Sequence, residues 1–389
     1  MIQMDRASVM RRRSLARRAV DPSSPVWRMD GVLLVAVAAL CVIGTMLVWS
    51  STRTWAPGAT GLVKKHLLNV AIGAALLSAA AMVDHRWLRI YAPIIYLVTL
   101  GGLVLVITPV GSTINGSHSW IVLGGGFAVQ PSEFAKVGLV LLLAMLLAQP
   151  VEGTGRPRGL DVVFALLATG IAVGLVLLQP DLGTAMVLVV ITMGALVIGG
   201  VRKRLVVLLA LAALAAAAAV WFLDLLEPYQ VQRFTAFLTP STDPRGVGYN
   251  STQALIAIGS GEIFGKGLFE GGQTTGRFVP EQHTDFIFTV AGEEFGFLGS
   301  VTVVALLGVV LLRGVRIAQQ CEDRFGTLVA GTLVCWLGFQ TFVNIGMTVG
   351  MMPITGLPLP FVSYGGTATF ANMMAIGLLQ AIHIRERPY

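Results

Sequence analysis

Charge is what this chain has least of. Only 12% of its 389 residues are Asp, Glu, Lys or Arg, against roughly 25% in a soluble globular domain, and 55% are hydrophobic. That shortage excludes a soluble fold and leaves a membrane protein. Cysteine is scarce too. Of three, Cys41 and Cys335 fall within apolar runs and Cys321 in a connecting loop, so no disulfide framework is available. Five scattered histidines, without Cys- or His-rich spacing, supply no transition-metal ligand set. No cleavable signal peptide is expected, because the first apolar run begins near Gly31 and is longer than a signal-sequence core.

What the chain does have is apolar runs. Ten segments, at about 31–50, 65–83, 88–109, 132–149, 160–178, 182–199, 204–223, 295–315, 326–350 and 364–383, approach the ~20 residues that cross about 30 Å of hydrocarbon. The expected fold is an all-α polytopic membrane protein with ten transmembrane helices. Residues 1–30, with Arg11, Arg12, Arg13, Arg17 and Arg18, read as a flexible basic cytoplasmic tail, and 31–389 as one membrane domain. Ten spans place both termini on one side. Nineteen Lys and Arg residues then lie in the tail and inner loops and seven in the outer loops, which is the positive-inside bias of a cytoplasmic membrane. The net charge of +7 therefore suits the lipid bilayer and its anionic headgroups, and no nucleic-acid partner is expected.

One connection is long. Residues 224–284 on the outer face carry Tyr229, Phe234, Phe237, Tyr249, Phe264, Phe269 and Phe278, too many aromatics for disorder. A structured loop with short surface helices is expected, one over Ala254–Ile258 behind a cap at Asn250 or Ser251. The Gly-rich 259–267 could cradle phosphate by composition, yet no strand precedes it.

Asp285 stands where this loop enters apolar sequence. A continuous helix from Asp285 to Val315 would be about 46 Å long at 1.5 Å per residue, more than one upright span requires. The expectation is a short half-inserted piece from Thr284 to about Gly292, a break at Glu293 and Glu294, and a span from about Phe295. Irregular backbone at that depth must line protein or a wet cavity, so Asp285 should face a cavity open to the outer side. An acid there is a functional-site candidate by default.

Other polar groups sit at outer helix ends. In Gln130-Pro-Ser-Glu-Phe-Ala-Lys136, Pro131 and Ser132 suit a helix start and Glu133 the positive end of its dipole. Lys136 has the wrong sign for that place and needs an anion. Glu133, three residues back, can supply one, and a helix N-terminus with a lysine also describes a phosphate site. Asp181, in Gln179-Pro-Asp-Leu-Gly-Thr184, is placed to cap the sixth span or to face the same cavity. The stretch 353–366, with three prolines, cannot be a regular helix, so its free backbone groups need partners; Ser363 and Tyr364 are its polar side chains. His283 and Asp285 could form a dyad, but no nucleophile-elbow context supports a hydrolase.

Together these motifs resemble the SEDS family of bacterial cell-wall proteins: Gln130-Pro-Ser-Glu-Phe-Ala-Lys, Gln179-Pro-Asp-Leu-Gly-Thr, Pro280-Glu-Gln-His-Thr-Asp-Phe-Ile-Phe and Pro358-Leu-Pro-Phe-Val-Ser-Tyr-Gly-Gly, in that order. Thr355-Gly-Leu-Pro-Leu-Pro360 looks more like the elongation member than the division member. The resemblance implies a peptidoglycan glycosyltransferase that polymerises lipid II into a growing glycan strand on the outer face. It implies Asp285 as the essential catalytic residue and roles for Glu133, Lys136 and Asp181. A class B penicillin-binding protein transpeptidase and other elongation-complex membrane proteins are the implied partners. Gln130, Ser132, Lys266, Arg277, His283 and Ser363 complete the candidate substrate-binding set. Two departures stand out: Asn115-Gly-Ser-His-Ser-Trp120 lacks the arginine common there, and Thr367 and Ala368 replace serines.

With Asp285 as general base, the implied inversion from an α-linked diphosphate to a β-1,4 product needs only one base. Burial would raise an aspartate from about 3.9 toward a useful range. Lys136, Arg277, Lys266 and Arg245 are candidates for the leaving diphosphate. No cofactor is required, although a divalent cation (Mg or Mn) could share that role, with Asp285, Glu133 or Asp181 as oxygen ligands. The rival readings are a flippase or transporter of lipid-linked precursors and a scaffold that recruits a transpeptidase.

Overall fold

The computed structural model describes residues 28–54, 60–114, 117–124, 127–153, 155–223, 231, 237 and 247–386. The basic tail, Arg245 and most of 224–246 lie outside the described residues.

Each of the ten expected apolar segments contains a helix. These are α1 (Gly31–Thr52), α2 (Gly61–Met82), α3 (His85–Ile107), α4 (Pro131–Leu147), α5 (Gly159–Leu177), α6 (Leu182–Ile198), α7 (Lys203–Phe222), α10 (Ile287–Gln320), α11 (Arg324–Thr348) and α12 (Gly366–Glu386). Among the described residues, eight are long and apolar enough to cross a membrane. The other two, α4 and α6, have 17 residues each and run through the centre of the bundle, where Leu139, Leu143, Leu188 and Ile191 are fully buried. Outward-facing apolar side chains such as Leu160, Val98 and Leu312 stay exposed, as lipid-facing residues do. At one end of the bundle Asp30 caps α1 through Leu33 N (3.1 Å) and pairs with Arg313 of α10, while its backbone exchanges hydrogen bonds with Gln380 of α12.

The all-α expectation overlooks one small element. Between α3 and α4 the chain forms an antiparallel sheet of β1 (Ser112–Ile114), β2 (Ser117–Gly124) and β3 (Phe127–Val129), in that order, with Ser112 opposite Trp120 and Ile121 opposite Val129. Trp120, Ile121 and Val122 are aromatic and β-branched, as strands favour. The long loop carries two described helices, α8 (Val247–Ser260) and α9 (Gly272–Gly276). Helix α8 begins earlier than expected, so Asn250 and Ser251 lie inside its first turns rather than capping it.

The expected break in the eighth apolar segment is present, two to three residues further on. Helix α10 is continuous through Glu293 and Glu294 and breaks at Gly296 (φ 65°, ψ −160°). That conformation is essentially restricted to glycine, so the glycine rather than the acids sets the position. A regular helix would bond Phe297 N to Glu293 O and Leu298 N to Glu294 O. Here the segment 261–267 intervenes. Phe297 N donates to Glu262 O (2.9 Å) and Leu298 N to Ile263 O (3.1 Å), while Lys266 N and Gly267 N donate to Glu293 O and Glu294 O, both at 3.0 Å.

The glycines of 259–267 thus serve backbone contact with a broken helix and not a phosphate. A Cβ on Gly261 would lie 1.9 Å from Gly292 O, and one on Gly265 2.1 Å from Glu294 O. Gly296→Ala would add positive-φ strain of about 1–3 kcal/mol and put a Cβ 2.3 Å from Gly265 N. We expect a lower melting temperature for the detergent-solubilised Gly296→Ala protein, whereas Gly308→Ala on the same helix, with nothing within 4 Å of its Cβ, should melt like wild type.

Candidate functional site

Asp285 lies in a turn, Glu281–Phe286, just ahead of α10. The turn winds about one carbonyl: Glu281 O accepts from Thr284 N (3.2 Å), Asp285 N (3.1 Å) and Phe286 N (3.3 Å), with Glu281 at a left-handed φ of 49°. Neighbouring elements hold it from three sides. Gln282 Nε2 donates to Ser51 O at the end of α1 (3.2 Å) and to Thr274 O of α9 (2.9 Å). Tyr364 N donates to His283 O (2.9 Å). Asn344 Nδ2 of α11 donates to Asp285 O (2.9 Å) and to Leu357 O (2.7 Å). Asp285 itself is half-buried between the buried His283 and Phe286. The backbone at this residue is irregular, as expected, and the helix starts only at Ile287.

The His283 and Tyr364 rings meet at a tilt of 39°, 5.6 Å between centroids, and the Tyr364 ring lies 5.9 Å from that of His66 of α2. Burial lowers the His283 imidazole pKa, opposed by nearby Glu281, and burial raises the Tyr364 phenol.

Lys136 is fully buried. Its Nζ lies 2.8 and 2.7 Å from the two Glu133 carboxylate oxygens, 3.4 Å from Gln340 Oε1 and 4.9 Å from the centre of the Trp336 ring. The anion it needs is therefore Glu133. Gln340 Oε1 also accepts from Trp336 Nε1 (2.8 Å), and Gln340 Nε2 donates to Pro358 O (2.8 Å). Trp336, Gln340 and Asn344 are spaced four apart and share one face of α11. Gln340 and Asn344 satisfy two carbonyls of the proline-rich 353–366 stretch, Pro358 O and Leu357 O, and link it to Lys136 and to the Asp285 turn. None of the three was among the sequence candidates; the available signal was two carboxamides four residues apart in an apolar span.

The remaining candidates divide between structure and surface. Asp181 caps α6, accepting from Thr184 N (2.9 Å) and Thr184 Oγ1 (2.7 Å), and accepts from Gln130 Nε2 (3.0 Å). Gln130 N donates to Thr367 Oγ1 (3.2 Å), so the threonine that replaces a serine joins α12 to α4. Ser363 Oγ accepts from Leu359 N (2.8 Å) and closes a turn. Ser132 is buried without a protein partner for its hydroxyl. Lys266 pairs with Glu293 (3.3 Å), whose carboxylate also receives Gln273 N and Thr274 N of α9. Arg277 is exposed, at a left-handed φ of 56°, and donates to Thr54 O. Among the described residues no three His, Cys, Asp or Glu side chains gather as a metal site; Glu133 and Asp181 are engaged elsewhere and do not join Asp285 as a ligand set.

Removing one member of a buried ion pair costs about 3–5 kcal/mol, whereas replacing both by apolar groups is often neutral. Lys136→Met should therefore lower the melting temperature strongly, and Lys136→Met with Glu133→Leu should recover most of the loss. A single variant as stable as wild type would mean that the lysine is not held by this pair.

The chain is similar to known proteins over most of its length. A family model described as a cell cycle protein, for FtsW, RodA and SpoVE, matches residues 31–388. The chain is 35% identical to stage V sporulation protein E of Bacillus subtilis, covering 90% of this chain and 95% of that one. It is 33% identical to peptidoglycan glycosyltransferase MrdB of Escherichia coli K12, covering 92% and 94%. Among solved structures it is similar to a chain of a peptidoglycan synthase complex, described for its coordination of polymerization and crosslinking (TM-score 0.77, 33% identity, 92% and 98% covered). It is also similar to the rod shape determining protein RodA of Thermus thermophilus (TM-score 0.67, 31% identity, 91% and 96% covered). The chain is a member of the FtsW/RodA/SpoVE family.

Proposed function

We propose that this chain is a peptidoglycan glycosyltransferase that polymerises lipid II on the outer face of the bacterial cytoplasmic membrane, in cell elongation. The observation behind it is the half-buried Asp285 on a turn clamped by Gln282, Tyr364 and Asn344, at the end of the bundle where Gln130, Asp181, Thr367 and the 353–366 stretch also meet. The name of the Escherichia coli relative supports the reaction class.

Asp285 acts as general base. It takes the proton from the acceptor sugar hydroxyl of one lipid II as that oxygen attacks the anomeric carbon of the growing strand; the anomeric bond to the lipid diphosphate breaks, and configuration inverts. A fixed backbone holds the carboxylate in reach without requiring the turn to reorganise at each cycle. Lys136, enclosed by Glu133, Gln340 and Trp336, sets the field of the site from within, and the exposed Arg277 and the partly exposed Lys266 neutralise the leaving diphosphate.

The ten helices cross the membrane with both termini cytoplasmic, following the charge bias of the loops. The partner is a class B penicillin-binding protein transpeptidase, in keeping with the description of the similar complex as one of polymerization and crosslinking. Loss of a general base costs about 10²–10⁴-fold in rate. With purified protein and fluorescent lipid II, wild type should therefore form polymer and Asp285→Asn should be slower by that factor. Equal polymerisation by the two would sink the assignment, and lipid translocation in proteoliposomes without polymer would favour a flippase instead.

A further inference from the structure

Two carboxamides in the middle of an apolar helix need an explanation, because polar side chains within a membrane span are rare unless they serve a site. Gln340 and Asn344 are both fully buried, and every side-chain hydrogen bond they donate leaves their own helix. Asn344 gives both amide hydrogens away, to Asp285 O and Leu357 O. Gln340 gives one to Pro358 O and accepts from Lys136 and Trp336.

We propose that Asn344 is a positioning residue for the transfer reaction: its single nitrogen pins the backbone of Asp285 to the 353–366 stretch and so fixes the height of the carboxylate. Gln340, one turn away, pins the next carbonyl of the same stretch to buried Lys136. The Asp285 turn and the Glu133–Lys136 pair are thereby held in one frame by one face of α11. Two further features suit such a frame. Glu281 and Phe361, on the two segments it joins, both occupy left-handed φ (49° and 65°), a strain that surrounding contacts must maintain. Three amides of the Asp285 turn, Thr284 N, Asp285 N and Phe286 N, converge on Glu281 O, and the link to α11 adds a tie from outside the turn.

This inference rests on the glycosyltransferase reading, and the test separates the two. Asn344→Leu keeps the branched shape and removes both donors. In a lipid II polymerisation assay we expect kcat to fall at least about tenfold, since displacement of a reacting group by about 1 Å can cost 10²-fold, with KM within about twofold. Amide hydrogen exchange should quicken in the peptide spanning residues 281–286 and stay unchanged in the interior of α12. If the leucine variant does not fold, Asn344→Ser, which keeps one donor, is read by the same measurements and should show the same split in milder form. Unchanged kcat, a loss confined to KM, or unaltered exchange at 281–286 would overturn the positioning role. A wild-type protein that makes no polymer would instead overturn the reaction, while the exchange measurement still judges the contact.

Discussion

A bilayer supplies no water to a broken helix, and this fold depends on how it answers that constraint at Gly296. Four backbone groups of α10 that would pair along a regular helix are instead paired with residues 262–267; each left unsatisfied in hydrocarbon would cost several kcal/mol. The break divides a 34-residue helix, about 51 Å at 1.5 Å per residue, into a short, buried first piece and a long second one. Just ahead of the first piece lies the Asp285 turn, which α11, α1 and the 353–366 stretch grip. The long loop is thus part of the scaffold, and Glu293, just before the break, reinforces it by accepting the first amides of α9 and pairing with Lys266.

Buried charge is handled with the same economy. Lys136 and Glu133 neutralise one another one helical turn apart, and the lysine's remaining contacts are to a carboxamide oxygen and a tryptophan face. A cation so enclosed has its charge met within the bundle and anchors α11 to α4. Asp181 is comparable. Its cap on α6 and its bond to Gln130 tie the starts of α4 and α6 together.

Much of this was legible in the sequence, for reasons that differ between residues. Apolar runs and their lengths located the ten helices because a membrane span has a strong compositional signature. The excess length after Asp285 signalled a break, but could not locate it: two adjacent acids look like the weak point, while the actual constraint is the positive φ that only Gly296 tolerates. The sheet at 112–129 is not legible because two of its strands have three residues each and the eight-residue β2, Ser-His-Ser-Trp-Ile-Val-Leu-Gly, does not alternate apolar with polar. Gln340 and Asn344 were passed over because they are isolated polar residues within a helix, and their meaning lies in carbonyls distant in sequence, at Asp285, Leu357 and Pro358. The resemblance pointed to Glu133 and Lys136 together with Asp285; that α11 is what joins them required three dimensions.

The central claim is that Asp285 is a base that never bonds to the sugar. Rapid quenching of the protein during turnover, with a lipid II analogue blocked at its acceptor hydroxyl so that it can serve only as donor, followed by intact-protein and peptide mass spectrometry, tests this directly. An inverting, single-displacement reaction predicts no covalent glycosyl adduct on any residue under these conditions. A glycosyl ester on Asp285 would contradict it and make the aspartate a nucleophile.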